Sequence, residues 1–300
     1  MSTASSRIRD IFAPLALVVL VLIAWEAAVH LFQIQAYVLP APTRIAQALI
    51  SDGQRIIFPQ LGITLFEILS GFALAIVVAF VLSVLIVYSN AFRRGVLPLI
   101  VASQTIPVIA IAPVLVIWFG YNSIPRIMIT AIVAFFPLTV AVVTGLQAVD
   151  PHQLAFFKTL KATPLQTFFK LRFPIALPNI FAGLKVAATL AVVGATISEW
   201  VGASRGLGYL IAQDTQQLNT ARVFASLVVL GFCGMALFGV VSLAQRLCMP
   251  WARARLRIRR QKERIPVPRE AAVSAPSATA GAGVEARGNT NGRQLTPAGS

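Results

Sequence analysis

Hydrophobic positions in this chain gather into long blocks, separated by shorter polar stretches that carry proline, glycine or arginine. A helix needs about 20 apolar residues to cross about 30 Å of hydrocarbon. Six blocks qualify, at roughly 13 to 32, 63 to 88, 96 to 119, 126 to 148, 179 to 201 and 223 to 247. The pattern predicts an all-α integral membrane protein with six transmembrane helices. The first block follows Arg7 and Arg9 as a signal peptide would, but its apolar core is long and no small-x-small cleavage site precedes Trp25-Glu26. It therefore reads as an uncleaved anchor.

One polar break is out of proportion. From about 150 to 178 the chain runs polar to amphipathic between the fourth and fifth blocks, far longer than a turn requires. Within it Leu154, Phe157 and Leu160 recur at three-residue spacing, with Phe156, Lys158 and Lys161 beside them. A helix from about Gln153 to Ala162 would then carry an aromatic and apolar ridge next to two cations. Thr163-Pro164 has the form of a cap followed by proline at the first helical position, which predicts two short helices meeting near Thr163. Such a ridge suits a partner's groove. The plainer alternative is packing on the chain's own spans or on lipid head groups.

Two shorter pieces lie on the opposite side. Leu39-Pro40-Ala41-Pro42-Thr43 is held extended by its prolines, and Thr43 is placed to cap a short helix reaching about Leu49. After the fifth block, Gly202 to Ile211 turns on its glycines, and Leu207, Leu210, Ile211 and Leu218 have the spacing of one buried helical face.

Composition agrees with the blocks: 57% hydrophobic residues, 12% charged and a mean hydropathy of +0.80 leave too little polar surface for a soluble protein of this size. A net charge of +15 would suit nucleic acid, yet the basic residues sit at block ends without interleaved aromatics, so no nucleic-acid partner is expected. Arg7, Arg9, Arg93, Arg94, Lys158, Lys161, Lys170, Arg172 and the run from Arg246 to Arg264 fall on one side; Arg44, Arg55, Arg126, Arg205 and Arg222 fall on the other. That asymmetry places both termini and the long break in the cytoplasm. Residues 1–12 then form a cytoplasmic N-terminus and 13–250 a transmembrane domain; 251–264, headed by Trp251, form a basic segment on anionic lipid, and 265–300 a disordered tail. Cys233 and Cys248, about 22 Å apart on one helix, are expected to form neither a disulfide nor a metal site.

Catalytic chemistry is missing from the pattern. No phosphate loop of the form G-x-x-x-x-G-K-[ST], no H-E-x-x-H and no metal-spaced cysteine and histidine cluster is present, so no catalytic residue, metal or cofactor is predicted. Glu26, Glu67 and Lys185 fall near block ends and read as interfacial groups. Glu199 reads either as the partner of a helix end or as a group facing a path. Gly183, Ala187, Ala191 and Ala195 recur every fourth residue, which predicts a central fifth span. Ser103, Gln104 and Thr105 before Pro107, with Asn122 beyond, mark the third span as another interior element, and its two internal prolines, Pro107 and Pro113, are expected to kink it or free backbone groups. Together Gln104, Thr105, Asn122, Ser198 and Glu199 are the candidate lining of a translocation path.

The long break resembles the E-A-A-x₃-G-x₉-I-x-L-P loop of permease subunits of bacterial ATP-binding-cassette importers with the type I fold. Ala155, Phe156 and Phe157 stand in the E-A-A places, Lys161 in the glycine place, and Leu171, Phe173 and Pro174 in the I, L and P places. The spacing is kept; the glutamate and the glycine are not. Leu39-Pro40-Ala41-Pro42, Ile106-Pro107 with Pro113, Trp118-Phe119-Gly120, Phe136-Pro137 with Gly145-Leu146, and Glu199 with Gly206-Leu207-Gly208-Tyr209 extend the resemblance over residues 12 to 250. They are similar to the nitrate, sulfonate and taurine branch. Gln217-Leu218-Asn219-Thr220 with Phe224-Ala225 is similar to members associated with thiamine-precursor pyrimidines or riboflavin.

The resemblance implies a multi-pass protein of the bacterial inner membrane. It implies a homodimer of this subunit with two ATPase subunits and an extracytoplasmic binding protein, and a chain that is not itself an enzyme. It also makes Leu154, Ala155, Phe156, Phe157, Lys158, Leu160, Lys161, Ala162, Pro164 and Pro174 the ATPase-coupling loop. The rival is an ion-coupled secondary carrier, for which Glu199 is the one supporting group.

Overall fold

The computed structural model describes residues 3–250, with side chains from residue 15, and the described residues are all-helical. The expected basic segment 251–264 and tail 265–300 lie outside the described residues. In chain order the helices are α1 Thr3–Leu31, α2 Pro42–Asp52, α3 Phe58–Tyr88, α4 Asn90–Ser103, α5 Val108–Phe119, α6 Ser123–Gln147, α7 Pro151–Thr159, α8 Pro164–Thr167, α9 Phe173–Gly202, α10 Leu207–Gln216 and α11 Thr220–Cys248. Short π-helical segments, Gly53–Ile57 and Phe168–Arg172, lead into α3 and α9 without a stop.

Four helical runs are long and apolar enough to cross a membrane: Pro42–Tyr88, Ser123–Gln147, Pro164–Gly202 and Thr220–Cys248. A fifth crossing forms if α4 and α5 count as one bent span, and α1 adds a shorter apolar stretch, Leu15–Leu31. The third expected span, 96 to 119, is therefore not one helix. It breaks at 104–107 and turns through 101°. Proline causes the break: Pro107 has no N–H to continue the ladder and pushes the preceding residue out of helical conformation. The last turn before it tightens into three-residue bonds, Thr105 N to Ala102 O at 3.1 Å and Ile106 N to Ser103 O at 3.2 Å. Pro107 then becomes the cap of α5, while Pro113 is accommodated inside it.

α6 is the centre of the bundle, packed most extensively on α9 and then on α3. Small residues permit this. A Cβ on Gly71 of α3 would come within 2.5 Å of Thr130 on α6, and one on Gly194 of α9 within 2.9 Å of the same residue's Cα. Ala187, Ala191 and Ala195 are fully buried along the same face of α9. Between membrane helices lipid is as apolar as leucine, so close backbone approach and dispersion supply the attraction that water would supply elsewhere.

Two local expectations are corrected. Thr43 does not cap α2: Ala41 holds that position without a side-chain bond, and Thr43 sits in the first turn. Its N–H and its hydroxyl donate to the Glu26 carboxylate of α1 at 3.1 and 2.8 Å, so a neighbouring helix supplies the missing cap. Leu218 does not share the buried face of Leu207, Leu210 and Ile211; it is 64% exposed just beyond the end of α10, at φ 58°. Asp214, which the sequence did not mark, is the buried polar group of that helix and pairs with Arg222 of α11.

Candidate functional site

At one end of the bundle the segment from Pro151 to Arg172 folds into an elbow. Asp150 caps α7, its carboxylate accepting the His152 N–H at 2.8 Å. The helix therefore runs from Pro151 to Thr159, earlier than the expected 153 to 162. Thr163 and Gln166 form a reciprocal capping box over α8, with Thr163 N to Gln166 Oε1 at 3.0 Å and Gln166 N to Thr163 Oγ1 at 3.3 Å. Between the two helices Lys161 stands at φ 52°, in the left-handed region. The glycine place of the resembling loops is thus the position where this backbone needs left-handed geometry, and lysine occupies it under strain.

The elbow has two sides. Leu154 and Phe157 are half-buried, and Leu154 shares a cavity of about 230 Å³ with Tyr88, Lys158, Pro164 and Arg172. Phe156 and Leu160 are 61% exposed, and Leu165 and Phe169 are exposed as well. The expected ridge therefore splits, half turned to the bundle and half left open. Arg172 anchors the bundle side. Its Nη1 donates to Leu146 O at 2.8 Å, satisfying a carbonyl in the last turn of α6, and its guanidinium lies 5.7 Å from the Tyr88 ring centre. Phe168 packs between Tyr88 and Phe173, so the elbow touches α3, α6 and α9 together. Neither Tyr88 nor Phe168 was marked from the sequence, because the anchoring depends on contacts between distant segments.

The far end of α9 carries a buried polar junction. Glu199 is fully buried and accepts from Thr64 Oγ1 of α3 at 2.7 Å and from the Gly208 N–H of α10. Leu207 N donates to Thr64 Oγ1 at 2.8 Å, and Gly206 N to Gln60 Oε1 at 2.7 Å. Gly206 has φ 118°, and a Cβ there would collide with the Glu199 carboxylate. The Glu199 with Gly206-Leu207-Gly208 pattern is thus a helix N-terminus folded onto a carboxylate. Beside it Glu67, also fully buried, lies with its Oε1 2.8 Å from Arg126 Nη1. That approach lacks hydrogen-bond alignment, and both Glu67 oxygens are without a donor. Glu67 is therefore no interfacial group, in contrast to its expected place near a span end.

The five candidate path residues are not brought together. Gln104 and Thr105 are exposed in the break between α4 and α5. Asn122 caps α6, accepting from Ile124 N at 2.8 Å and donating to Phe119 O at 2.6 Å. Ser198 and Glu199 are buried inside the fold, Ser198 donating to Ala195 O at 2.7 Å. Among the described residues no group of three or more histidine, cysteine, aspartate or glutamate side chains has metal-binding geometry.

Comparison with known proteins gives this architecture its class. The family model of the binding-protein-dependent transport system inner membrane component matches residues 71–254. The chain is 37% identical to the formylaminopyrimidine transport permease protein ThiX of Halalkalibacterium halodurans, over 78% of this chain and 93% of that protein. It is 29% identical to the riboflavin transport system permease protein RibX of Chloroflexus aurantiacus, over 77% and 87% of the two chains. Its fold is similar to a chain in the crystal structure of an amino acid ABC transporter with histidines, with a TM-score of 0.51 and 17% identity over 66% of this chain and 94% of that one. The chain belongs to the family of inner membrane permease components of binding-protein-dependent ATP-binding-cassette importers, multi-pass proteins that work with a separate ATPase and a binding protein.

Proposed function

We propose that two copies of this chain form the translocation path of the importer, each crossing the membrane six times with both termini in the cytoplasm, and that the α7–α8 elbow is its contact with the ATPase. The observation that carries this reading is the divided elbow. Phe156 and Leu160 are exposed on a segment whose other side is tied to α3, α6 and α9 through Arg172, Tyr88 and Phe168. An ATPase that grips the open side and moves it would carry three central helices with it, which is what alternating access requires. Ala155, Lys158, Ala162, Pro164 and Pro174 shape and flank this contact. The cargo we favour is a small pyrimidine or flavin-like nutrient, in keeping with the names of two relatives. Its selection would rest first on the binding protein.

The test is co-purification of the ATPase with Phe156→Ala and Leu160→Ala variants. Each removes an exposed anchor worth about 2 kcal/mol, or roughly 30-fold in affinity, while insertion in the membrane stays intact. Unchanged ATPase association and unchanged ATP-driven uptake in the double variant would remove the elbow from the coupling path. The ligand retained by the cognate binding protein decides the cargo, and retention of a sulfonate or nitrate alone overturns the nutrient assignment.

A further inference from the structure

Where the elbow meets the end of α3 it borders a second cavity. Val84, Leu165, Phe168 and Phe169, with Tyr88 and Pro164, line about 350 Å³ of space with apolar and aromatic side chains. Tyr88 and Pro164 also border the cavity of about 230 Å³ that holds Lys158 and Arg172, and the Tyr88 hydroxyl donates to Pro164 O at 3.5 Å. An apolar chamber and a basic one therefore share one wall. Neither Lys158 nor Arg172 has a carboxylate partner among the described residues. Asp150, the acid of this segment, is engaged by the His152 N–H. Arg172 gives an N–H to Leu146 O, and a guanidinium carries five. Towards the middle of α3, Val84, Val81 and Val77 continue from Tyr88 at spacings of four, three and four residues, on one face of the helix, with Val81 and Val77 exposed. Val77 stands about 17 Å along the axis from Tyr88, close to the depth of one leaflet in a hydrocarbon core about 30 Å thick.

Two unpaired cations beside an apolar groove that runs on into the depth of a leaflet have the two halves of a phospholipid as their complement. A free anion would leave the apolar cavity unfilled, and a neutral hydrocarbon would leave the cations unmatched. We propose that the joint between α3 and the elbow binds one anionic phospholipid. Its phosphate is held by Lys158 and Arg172, as basic pockets between membrane helices hold head groups. One acyl chain passes over Tyr88 and Pro164 into the apolar cavity and on along Val81 and Val77. The inference rests on the topology proposed above, with the elbow at the cytoplasmic surface, and not on its grip by the ATPase. Phe156 and Leu160 border neither cavity, so lipid and ATPase take different sides of one elbow. A lipid seated there is displaced whenever the elbow moves against α3, which makes coupling respond to the anionic lipid content of the membrane.

The test is native mass spectrometry of the full-length chain in mild detergent, after addition of equal amounts of phosphatidylglycerol and phosphatidylcholine of the same chain length. The parent is expected to retain phosphatidylglycerol in preference. Lys158→Met should lower that preference about fivefold, the effect of one cation near a head group, and Lys158→Arg should keep it. Val84→Trp fills the apolar cavity and should lower retention of phosphatidylglycerol while both cations stay in place. Arg246→Met removes a cation at the end of α11 that borders neither cavity, and should retain lipid as the parent does. Equal retention of the two lipids, a preference indifferent to both Lys158→Met and Val84→Trp, or an equal loss in Arg246→Met overturns the proposal. Displacement of the lipid by inorganic phosphate overturns it as well, since the site would then serve the free anion. If Lys158→Met fails to fold, Val84→Trp supplies the readout. ATPase co-purification separates this site from the coupling reading. A parent without lipid preference whose Phe156→Ala and Leu160→Ala variants lose the ATPase removes the lipid site alone; lipid retained as expected while those variants keep the ATPase removes the coupling contact alone.

Discussion

Lys161 shows how a single backbone angle explains a departure from a family pattern. A lysine held at φ 52° pays about 1–2 kcal/mol for the clash of its Cβ with the following carbonyl. Glycine would remove that strain and return about 0.5–1 kcal/mol of it through the greater freedom of the unfolded chain. Lys161→Gly is therefore expected to leave the melting temperature unchanged or raise it by about 1–3 °C, and Lys161→Val, β-branched in a region such residues avoid, to lower it. A Lys161→Gly protein that melts several degrees below the parent would contradict the left-handed geometry. Arg126 poses the opposite case, since its guanidinium is the cation beside two fully buried carboxyls, Glu67 and Glu199. Arg126→Met should destabilise the fold because it removes the cation that faces two buried carboxyls, whereas Arg126→Met with Glu67→Met replaces a pair by packing and should recover most of the loss. Unfolding of the detergent-purified variants measures both, and equal loss in the single and double variants would show that the pair contributes something other than charge compensation.

At the scale of elements, the sequence is most legible where a rule is local. The long helices follow from apolar length, the α7–α8 corner from Thr163-Pro164, and the inward face of α9 from glycine and alanine every fourth residue. Reading failed where a distant segment supplied the missing group. Thr43 looked like a cap because a threonine after proline often is one, but the cap comes from Glu26 on another helix. Glu67 looked interfacial by its distance from a block end, yet α3 begins earlier than the block and the residue lies inside, opposite Arg126. The prolines of the third block predict a kink within one span, and Pro107 makes of it a full break of 101°, an extent that hydropathy, blind to the missing N–H, does not show. The same limit applies to the candidate site. The exposed ridge of the elbow was visible as aromatic spacing, while Arg172 appeared only as one more basic residue until its bonds to α6 and Tyr88 placed it at the joint.

The whole molecule joins two anchored ends through one spine. α9 runs from the elbow, where Arg172 and Phe168 hold α3 and α6, to the junction where Glu199 receives α10. Movement of the elbow can therefore reach the far end as displacement of a packed helix pair, provided the two ends lie on opposite sides of the membrane. The distribution of basic residues gives an expectation of which side is which. Arg93, Arg94, Lys158, Lys161, Lys170 and Arg172 flank the elbow end, and Arg44, Arg55, Arg126, Arg205 and Arg222 are spread over the opposite end. Positive charge is retained in the cytoplasm, so the elbow is expected inside and the α2 and α10 helices outside. Reporter fusions after Arg55, Phe157 and Gly206 should read outside, inside and outside. An inside signal at Arg55 together with an outside signal at Phe157 would invert the molecule and put the elbow beyond the reach of any ATPase. Agreement at Phe157 with disagreement at Gly206 would instead mean that α9 does not cross, and the spine would lose its role as the link between the two ends.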